Sequence, residues 1–421
     1  MNFKRKLLAA ATVTMAGLSL AACGSKSNSS SSNNIKGQNI KVGVWIGSDK
    51  EKKGMNDLVK GFEKKTGAKV TLKVYTDFNT QIQADLAGHK APDSWMIDSS
   101  MYPFFKKQGV LQPLSKDVAN PDSFYPTLAK AFTSDGKLYG APKDTSTLAL
   151  YVNKKILKKT GTKISEIPGS YEGLVKWLPG FQKKLDSAYG KNKVRGFCYD
   201  QDMARNLYVM QRNGGQPIKK NGKANLASPT VVKNLGIYKQ LVNTGAAVTA
   251  KEIGQGDNGT AFGAQKVAMV AEGNWTYSVQ KDQYKTDFTV LPMRTVQGKR
   301  GGMVFTVGWG EYAETKHKAA TDAWIKYVTS KEAMEKYVKT ASTLPSRPDV
   351  AKAAGLDKVP ALKVHLDANA YSTVWQDGVT AATVNSSYQN FINKGLHGKV
   401  SLESAMKSAD DQANATIEKS K

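Results

Sequence analysis

The stretch Asn39-Ile40-Lys41-Val42-Gly43-Val44-Trp45-Ile46 is followed by Gly47-Ser48-Asp49 and then by Met55, Leu58, Val59 and Phe62 at spacings of three and four. Thr66-Gly67 interrupts that spacing, and Lys69-Val70-Thr71-Leu72-Lys73-Val74-Tyr75 then alternates. The β-branched opening is a strand pattern, the apolar spacing predicts a helix stopped at Thr66-Gly67, and the alternation predicts a second strand. Further helices are predicted over 80–88, 100–108, 171–186, 230–244, 319–328, 331–339 and 401–417, and short strands over 94–98, 148–152, 266–271 and 287–291. Strand–helix–strand alternation with short connections indicates parallel sheets of the α/β class. Ligands bind such sheets beyond the carboxyl ends of the strands, which places residues 45–50, Asp98 and residues 272–277 at candidate site edges.

A length of 421 residues suits two or three domains of roughly 150 residues, and 40% hydrophobic content supplies each with a core. Charged residues are 23% of the chain, too few for a disordered polyelectrolyte. No apolar run reaches the roughly 18 to 20 residues of a membrane span, and no repeat of about 20 to 50 residues is visible. The 61 Lys and Arg against 35 Asp and Glu give a formal charge of +26. Only seven of those cations are Arg, and the lysines are dispersed along the whole chain. Readers of bases and phosphates favour the guanidinium fork, so the reading is a solvated basic surface with no nucleic-acid partner.

The first 34 residues read as an address and a tether. Lys4, Arg5 and Lys6 precede an apolar stretch over 7–22, the pattern of a secretory signal covering residues 1–22. Leu20-Ala21-Ala22-Cys23 resembles the lipobox of bacterial lipoproteins, in which the cysteine is diacylglycerylated and becomes the mature N-terminus. Two acyl chains suffice for stable anchoring where one does not. The serine- and asparagine-rich linker within 23–35 behaves as a flexible coil spanning roughly 17 Å. Cys198 is the only other cysteine, so the mature chain has no intramolecular disulfide, and Cys198 reads as a small buried side chain.

Few residues are patterned for reactive chemistry. His89, His317, His365 and His397 lie far apart, form no metal-ligand spacing and read as lone surface histidines. There is no nucleophile elbow and no Walker loop. Gly254, Gly256 and Gly259 spell G-x-G-x-x-G without a clear preceding strand, and read as a loop or helix start. No cofactor is expected. Trp45, Trp95, Trp275, Trp309 and Trp375 sit in or beside predicted loops, with Asp49, Asp98, Asp144 and Glu272 close by or at comparable strand ends. Trp177 and Trp324 fall within helical apolar patterns and read as core. Sugars present apolar C–H faces that stack on aromatic rings and hydroxyls that need directed acceptors, so this set suits either a sugar-binding site or a glycosidase with paired acids.

With these residues the chain resembles the bacterial extracellular solute-binding proteins of carbohydrate ABC transporters, the maltose- and oligosaccharide-binding type, over nearly everything after the leader. The opening 44–50 with 62–71 is similar to the maltodextrin-binding start, whose first loop contacts sugar. Pro92-Asp93, Asp98 and residues 109–114 match a second signature. Residues 135–142, Asp144, Thr145 and 151–154 resemble the approach to a first hinge, with Val152 where an aromatic is common. The segment 262–275 is the most specific match, and in relatives its tryptophan stacks on a sugar ring. Residues 291–293 and 301–310 resemble a second crossing, and Leu344-Pro345-Ser346-Arg347 a third. Asp257 stands where relatives often carry a further aromatic.

The resemblance implies a two-lobed periplasmic-binding-protein type II fold of the Venus flytrap kind with three hinge crossovers. One lobe would comprise 36–146 and 302–344, the other 147–301 and 345–421. Candidate ligand contacts are Trp45, Asp49, Lys50, Asp98, Asp144, Thr145, Glu272, Asn274, Trp275, Trp309, Arg347 and Trp375. The implied function is capture of a mono- or oligosaccharide, foremost a maltodextrin, for an ABC permease. The protein would be a monomer held by Cys23 on the outer face of the cytoplasmic membrane of a Gram-positive bacterium. A raffinose- or fructan-type ligand, a non-sugar solute such as a peptide, polyamine or metal, and an anchored glycosidase are the alternatives.

Overall fold

The structure is a computed structural model and describes residues 35–419. The expected signal, Cys23 and nearly all of the tether fall outside the described residues. Asn39–Val44 (β1) and Lys69–Val74 (β2) pair in parallel from Asn39↔Lys69 to Val44↔Val74. Helix Asp49–Thr66 joins them and buries Met55, Leu58 and Phe62. At its start the Ser48 hydroxyl accepts from the Glu51 amide at 3.2 Å, and the Glu51 carboxylate accepts from the Gly47 amide at 2.7 Å. It ends at Gly67, whose φ of 73° is the left-handed turn that glycine takes without penalty.

Ser94–Asp98 (β3) adds in parallel to β1, and Gly140–Pro142 (β4) closes the first pass. Beyond Lys143 the chain enters a second sheet through the ten-residue strand Asp144–Asn153 (β5). It then lays down Arg195–Cys198 (β6), Ala247–Val248 (β7), Val267–Gly273 (β8), Phe288–Leu291 (β9) and Met303–Phe305 (β10). Thr306 leads back to Val307–Glu311 (β11) of the first sheet. Leu344–Pro345 (β12) and Thr373–Val374 (β13) return to the second. The strand orders are β2-β1-β3-β11-β4 and β13-β10-β5-β8-β6-β7, with β9 and β12 also paired to β5.

Neither sheet is purely parallel as expected. β11 runs antiparallel to β3 and β4, and β5 antiparallel to β8, β9, β10 and β12. Of these, β11 and β12 are laid down after the chain has left their sheet and returned, whereas β8, β9 and β10 follow β5 within the second sheet. The crossings converge on the first half of β5, where Val304 pairs with Thr147, Phe305 with Ser146, Leu344 with Thr145 and Pro345 with Asp144. Residues 144–146, 303–305 and 344 are thus strand residues of the second sheet.

Each sheet carries its own core. One gathers Ile40, Val42, Phe62, Trp95, Trp309 and Trp324; the other gathers Leu150, Phe181, Phe197, Leu207, Tyr388 and Met406. Predicted helices recur as Tyr171–Tyr189, Pro229–Asn243, Lys318–Val328, Lys331–Ala341 and Leu402–Lys419. Helix Ala381–Leu396 lies outside the predicted helices, six of its 16 residues being Thr, Asn or Ser. Tertiary packing secures it: Val384, Tyr388, Ile392 and Leu396, spaced by four, are all buried in the second core.

Candidate functional site

The first lobe presents its strand ends as the α/β rule requires. Trp45 follows β1 and lies half-buried, edge-on to Phe78 at 4.8 Å. Asp49 and Lys50 are exposed in the first turn of the following helix, and the Lys50 ammonium stands 3.7 Å from Asp282 of the second lobe. Asp98 ends β3 and accepts from the Ser100 amide at 2.8 Å and the Ser100 hydroxyl at 2.6 Å. Burial raises its pKa; those two bonds oppose the rise and the nearby Asp144 charge adds to it. Asp144 itself is held by Lys143 at 2.5 Å and accepts from the Val307 amide. Burial works against the Lys143 ammonium, yet the Asp144 carboxylate together with Tyr337 and Glu51 outweighs it and raises the lysine pKa.

The second lobe presents a concavity of about 390 Å³ beyond the carboxyl end of β8, whose lining includes Arg205, Asp257, Thr260, Glu272, Trp275 and Tyr284. Trp275 is 43% exposed. It meets Phe305 edge-on at 5.5 Å, and the Arg205 guanidinium lies 5.2 Å from its ring centre. Arg205 donates to Glu272 at 3.0 Å and pairs with Asp200 at 3.1 Å. Burial raises the Glu272 carboxyl and Arg205 counters it, while the two carboxylates overcome the cost of burying the guanidinium and raise its pKa. Asp257 caps helix Asn258–Gly263; burial pulls its pKa up, but bonds from the Thr260 hydroxyl and amide outweigh that and leave it lowered. An exposed aromatic face beside fixed carboxylates and a guanidinium can stack a sugar ring and bond its hydroxyls.

Several expected contacts lie elsewhere. Trp309 is 1% exposed and packs on Trp324 at 5.9 Å, because β11 turns it toward helix Lys318–Val328. It is a core residue with no face for a ligand. Thr145 is 1% exposed, and its hydroxyl donates to the Asn369 side chain at 2.6 Å beside the pairing of β5 with β12. Asn274 accepts from the Thr147 amide at 3.0 Å, tying the end of β8 to β5. Arg347 donates to the Thr329 carbonyl and to Asp349, so its fork is engaged away from Trp275. Trp375 is 9% exposed, and its carbonyl accepts from the Ser99 hydroxyl across the lobes at 3.2 Å.

His365, read as a surface residue, is fully buried. Its Nδ1–H donates to the Thr147 carbonyl and its Nε2 accepts from the Tyr151 hydroxyl, each at 2.9 Å; burial lowers its pKa to about 4. Cys198 is buried as expected, Trp324 lies in the core, and Trp177 is partly buried against Phe181. The G-x-G-x-x-G run leads from the turn at Gly254 into the start of helix Asn258–Gly263. Among the described residues no cluster of three or more His, Cys, Asp and Glu is placed to hold a metal ion, and no helix is long and apolar enough to cross a membrane. Arg205, Asp200 and Tyr284 were missed. The available signal was one of the chain's seven arginines just after two acids at a strand end.

The sequence profile of the family described as bacterial extracellular solute-binding protein matches residues 57–364. The chain is similar to a diacetylchitobiose binding protein of Streptomyces coelicolor, 27% identical over 65% of this chain and 64% of that protein's length. It is also similar to a maltooligosaccharide ABC transporter solute-binding lipoprotein of Streptococcus pneumoniae, 23% identical over 82% of this chain and 81% of the relative. In structure it resembles the sugar-binding protein MalE from Xanthomonas citri, with a TM-score of 0.77 and 17% identity over 91% of this chain and 98% of that one.

Proposed function

Since the chain belongs to the bacterial extracellular solute-binding proteins, we propose that it is a cell-surface receptor that captures a carbohydrate between its lobes and hands it to an ABC import permease. The observation that carries this reading is Trp275: a tryptophan 43% exposed, beside Arg205 and Glu272, at the end of a buried strand. An oligosaccharide is the ligand class, with maltodextrins foremost and a raffinose- or fructan-type sugar next; the relatives named for maltooligosaccharide and diacetylchitobiose support the class. Sugar that touches both lobes favours the closed state by its differential affinity, and the strand pairings on β5 are where the lobes turn. Cys23 anchors the monomeric receptor to the outer face of the membrane, a reading supported by the lipoprotein relative.

The test is a thermal shift of the purified protein against maltose to maltoheptaose, raffinose, kestose, diacetylchitobiose, a peptide mixture and a polyamine. A ligand at about 100 times its Kd adds about 2.7 kcal/mol to native stability, enough to move the melting point by degrees. A shift confined to one saccharide series, lost in Trp275→Ala, is expected. A shift with peptides or polyamine alone, or product released from a chromogenic glycoside, overturns the reading.

A further inference from the structure

Six large hydrophobic side chains among the described residues are conspicuously exposed: Val74, Ile164, Trp275, Tyr284, Val379 and Val400. Scattered exposed aliphatics are ordinary on a folded surface. The two aromatics differ, because both line the same concavity. Each ring also rests on a glycine. A Cβ at Gly273 would stand 2.2 Å from the Trp275 ring, and one at Gly263 would stand 2.4 Å from the Tyr284 ring. Any side chain at either position would displace the ring above it.

The backbone between the rings is held as well. Helix Trp275–Ser278 runs into a π-type turn over Val279–Gln283, which the Tyr284 amide closes by donating to the Val279 carbonyl at 3.1 Å. One extra residue in a helical turn rotates the residues after it by about 100°, which re-aims Tyr284 relative to a regular helix. Gln280, fully buried, clamps the turn: its amide donates to the Gly259 carbonyl at 2.8 Å and to the Thr276 hydroxyl at 3.1 Å, and its carbonyl accepts from Thr286. A buried clamp beneath an exposed ring lets that ring meet a ligand without losing freedom of its own.

We propose that Tyr284 is a second stacking platform, which together with Trp275 brackets one end of a saccharide chain and sets how many of its rings are held. Asp257, on the same concavity, supplies a fixed carboxylate for the hydroxyls of the ring at Tyr284. The proposal rests on the sugar-receptor reading and makes Tyr284 a specificity-determining residue within it.

The test measures Kd by intrinsic fluorescence for wild type, Tyr284→Ala, Tyr284→Phe and Trp275→Ala with maltose, maltotriose, maltotetraose, raffinose and diacetylchitobiose. For the tightest-binding saccharide, Tyr284→Ala is expected to weaken binding about three- to ten-fold, the scale of one lost ring stack, while Tyr284→Phe stays within about two-fold. The melting point of the sugar-free protein is expected to stay put, since Tyr284 is 39% exposed. If wild type binds and Trp275→Ala does not, but Tyr284→Ala binds like wild type, the platform is refuted and the receptor reading stands. If Tyr284→Phe is as weak as Tyr284→Ala, the hydroxyl acts rather than the ring, and the platform is again refuted. If wild type binds neither these five nor the longer maltodextrins and kestose of the thermal-shift panel, the receptor reading falls and the platform with it.

Discussion

Replacing Arg205 by Met removes the guanidinium and keeps most of the side-chain volume. Glu272 is 2% exposed, and among the described residues its carboxylate accepts from Arg205 at 3.0 Å and from its neighbour's amide, Gly273, at 3.1 Å. Removing one partner of a buried pair costs about 3–5 kcal/mol, because the remaining charge is left without compensation. Asp200, the second partner, is 29% exposed and is rescued by water, so the lower end, about 3 kcal/mol near pH 7.5, is expected. Without the cation, burial and the Asp200 charge both push the Glu272 pKa further up. The folded variant then binds a proton that the unfolded chain has released, so its deficit is full at neutral pH and shrinks as pH falls. Arg205→Met combined with Glu272→Gln should recover to within about 1 kcal/mol of wild type, since no buried charge is then unpaired. Urea unfolding followed by tryptophan emission, near pH 7.5 and near pH 5, measures all three proteins. A single variant within about 1 kcal/mol of wild type at both pH values, or a double variant no better than the single, would refute the reasoning.

Two further outcomes are expected from residues remote from Trp275. Glu311 is fully buried in β11 and, despite Lys318 at 3.1 Å, burial and the Asp322 charge raise its pKa to about 7 from an ordinary 4.5. The folded state therefore holds this proton across a window in which the unfolded chain has released it, and stability falls by about 3 kcal/mol as pH rises from 4.5 to about 7. Glu311→Gln should flatten that part of the pH–stability curve; an unchanged slope would show that Glu311 titrates normally. Trp309→Ala should lower stability by about 3–5 kcal/mol, the range for emptying an aromatic from a core, while leaving saccharide Kd within about two-fold in protein that remains folded. A selective loss of binding would place Trp309 at the ligand after all.

Much of the fold was legible because its signals are local. Ser48 and Glu51 cap a helix whose buried Met55, Leu58 and Phe62 repeat at three and four, and Gly67 ends it. A short-range pattern of this kind survives whatever the rest of the chain does. Ala381–Leu396 shows where it fails: its buried Val384, Tyr388, Ile392 and Leu396 are interspersed with Thr, Ser and Asn, and the helix packs against Leu402–Lys419. The tryptophans divide in the same way. The sequence placed Trp275 and Trp309 alike beside predicted loops; packing left one 43% exposed and the other 1% exposed.

By itself, the sequence determined the α/β class, the opening strand–helix–strand unit, the family resemblance and the scarcity of metal or nucleophile motifs. Those readings depend on residue types at short separations, where sterics, capping and periodicity act directly. Only the tertiary structure decided that the crossings pair along Asp144–Thr147, that His365 is sealed between Thr147 and Tyr151, and that Arg205 sits between Asp200, Glu272 and Trp275. It alone brought Tyr284 onto Gly263 and into the same concavity as Trp275. The reason is the same in each case. Burial, charge compensation and ring exposure are set by partners tens to hundreds of residues away, and a side chain's chemistry depends on the groups packed against it.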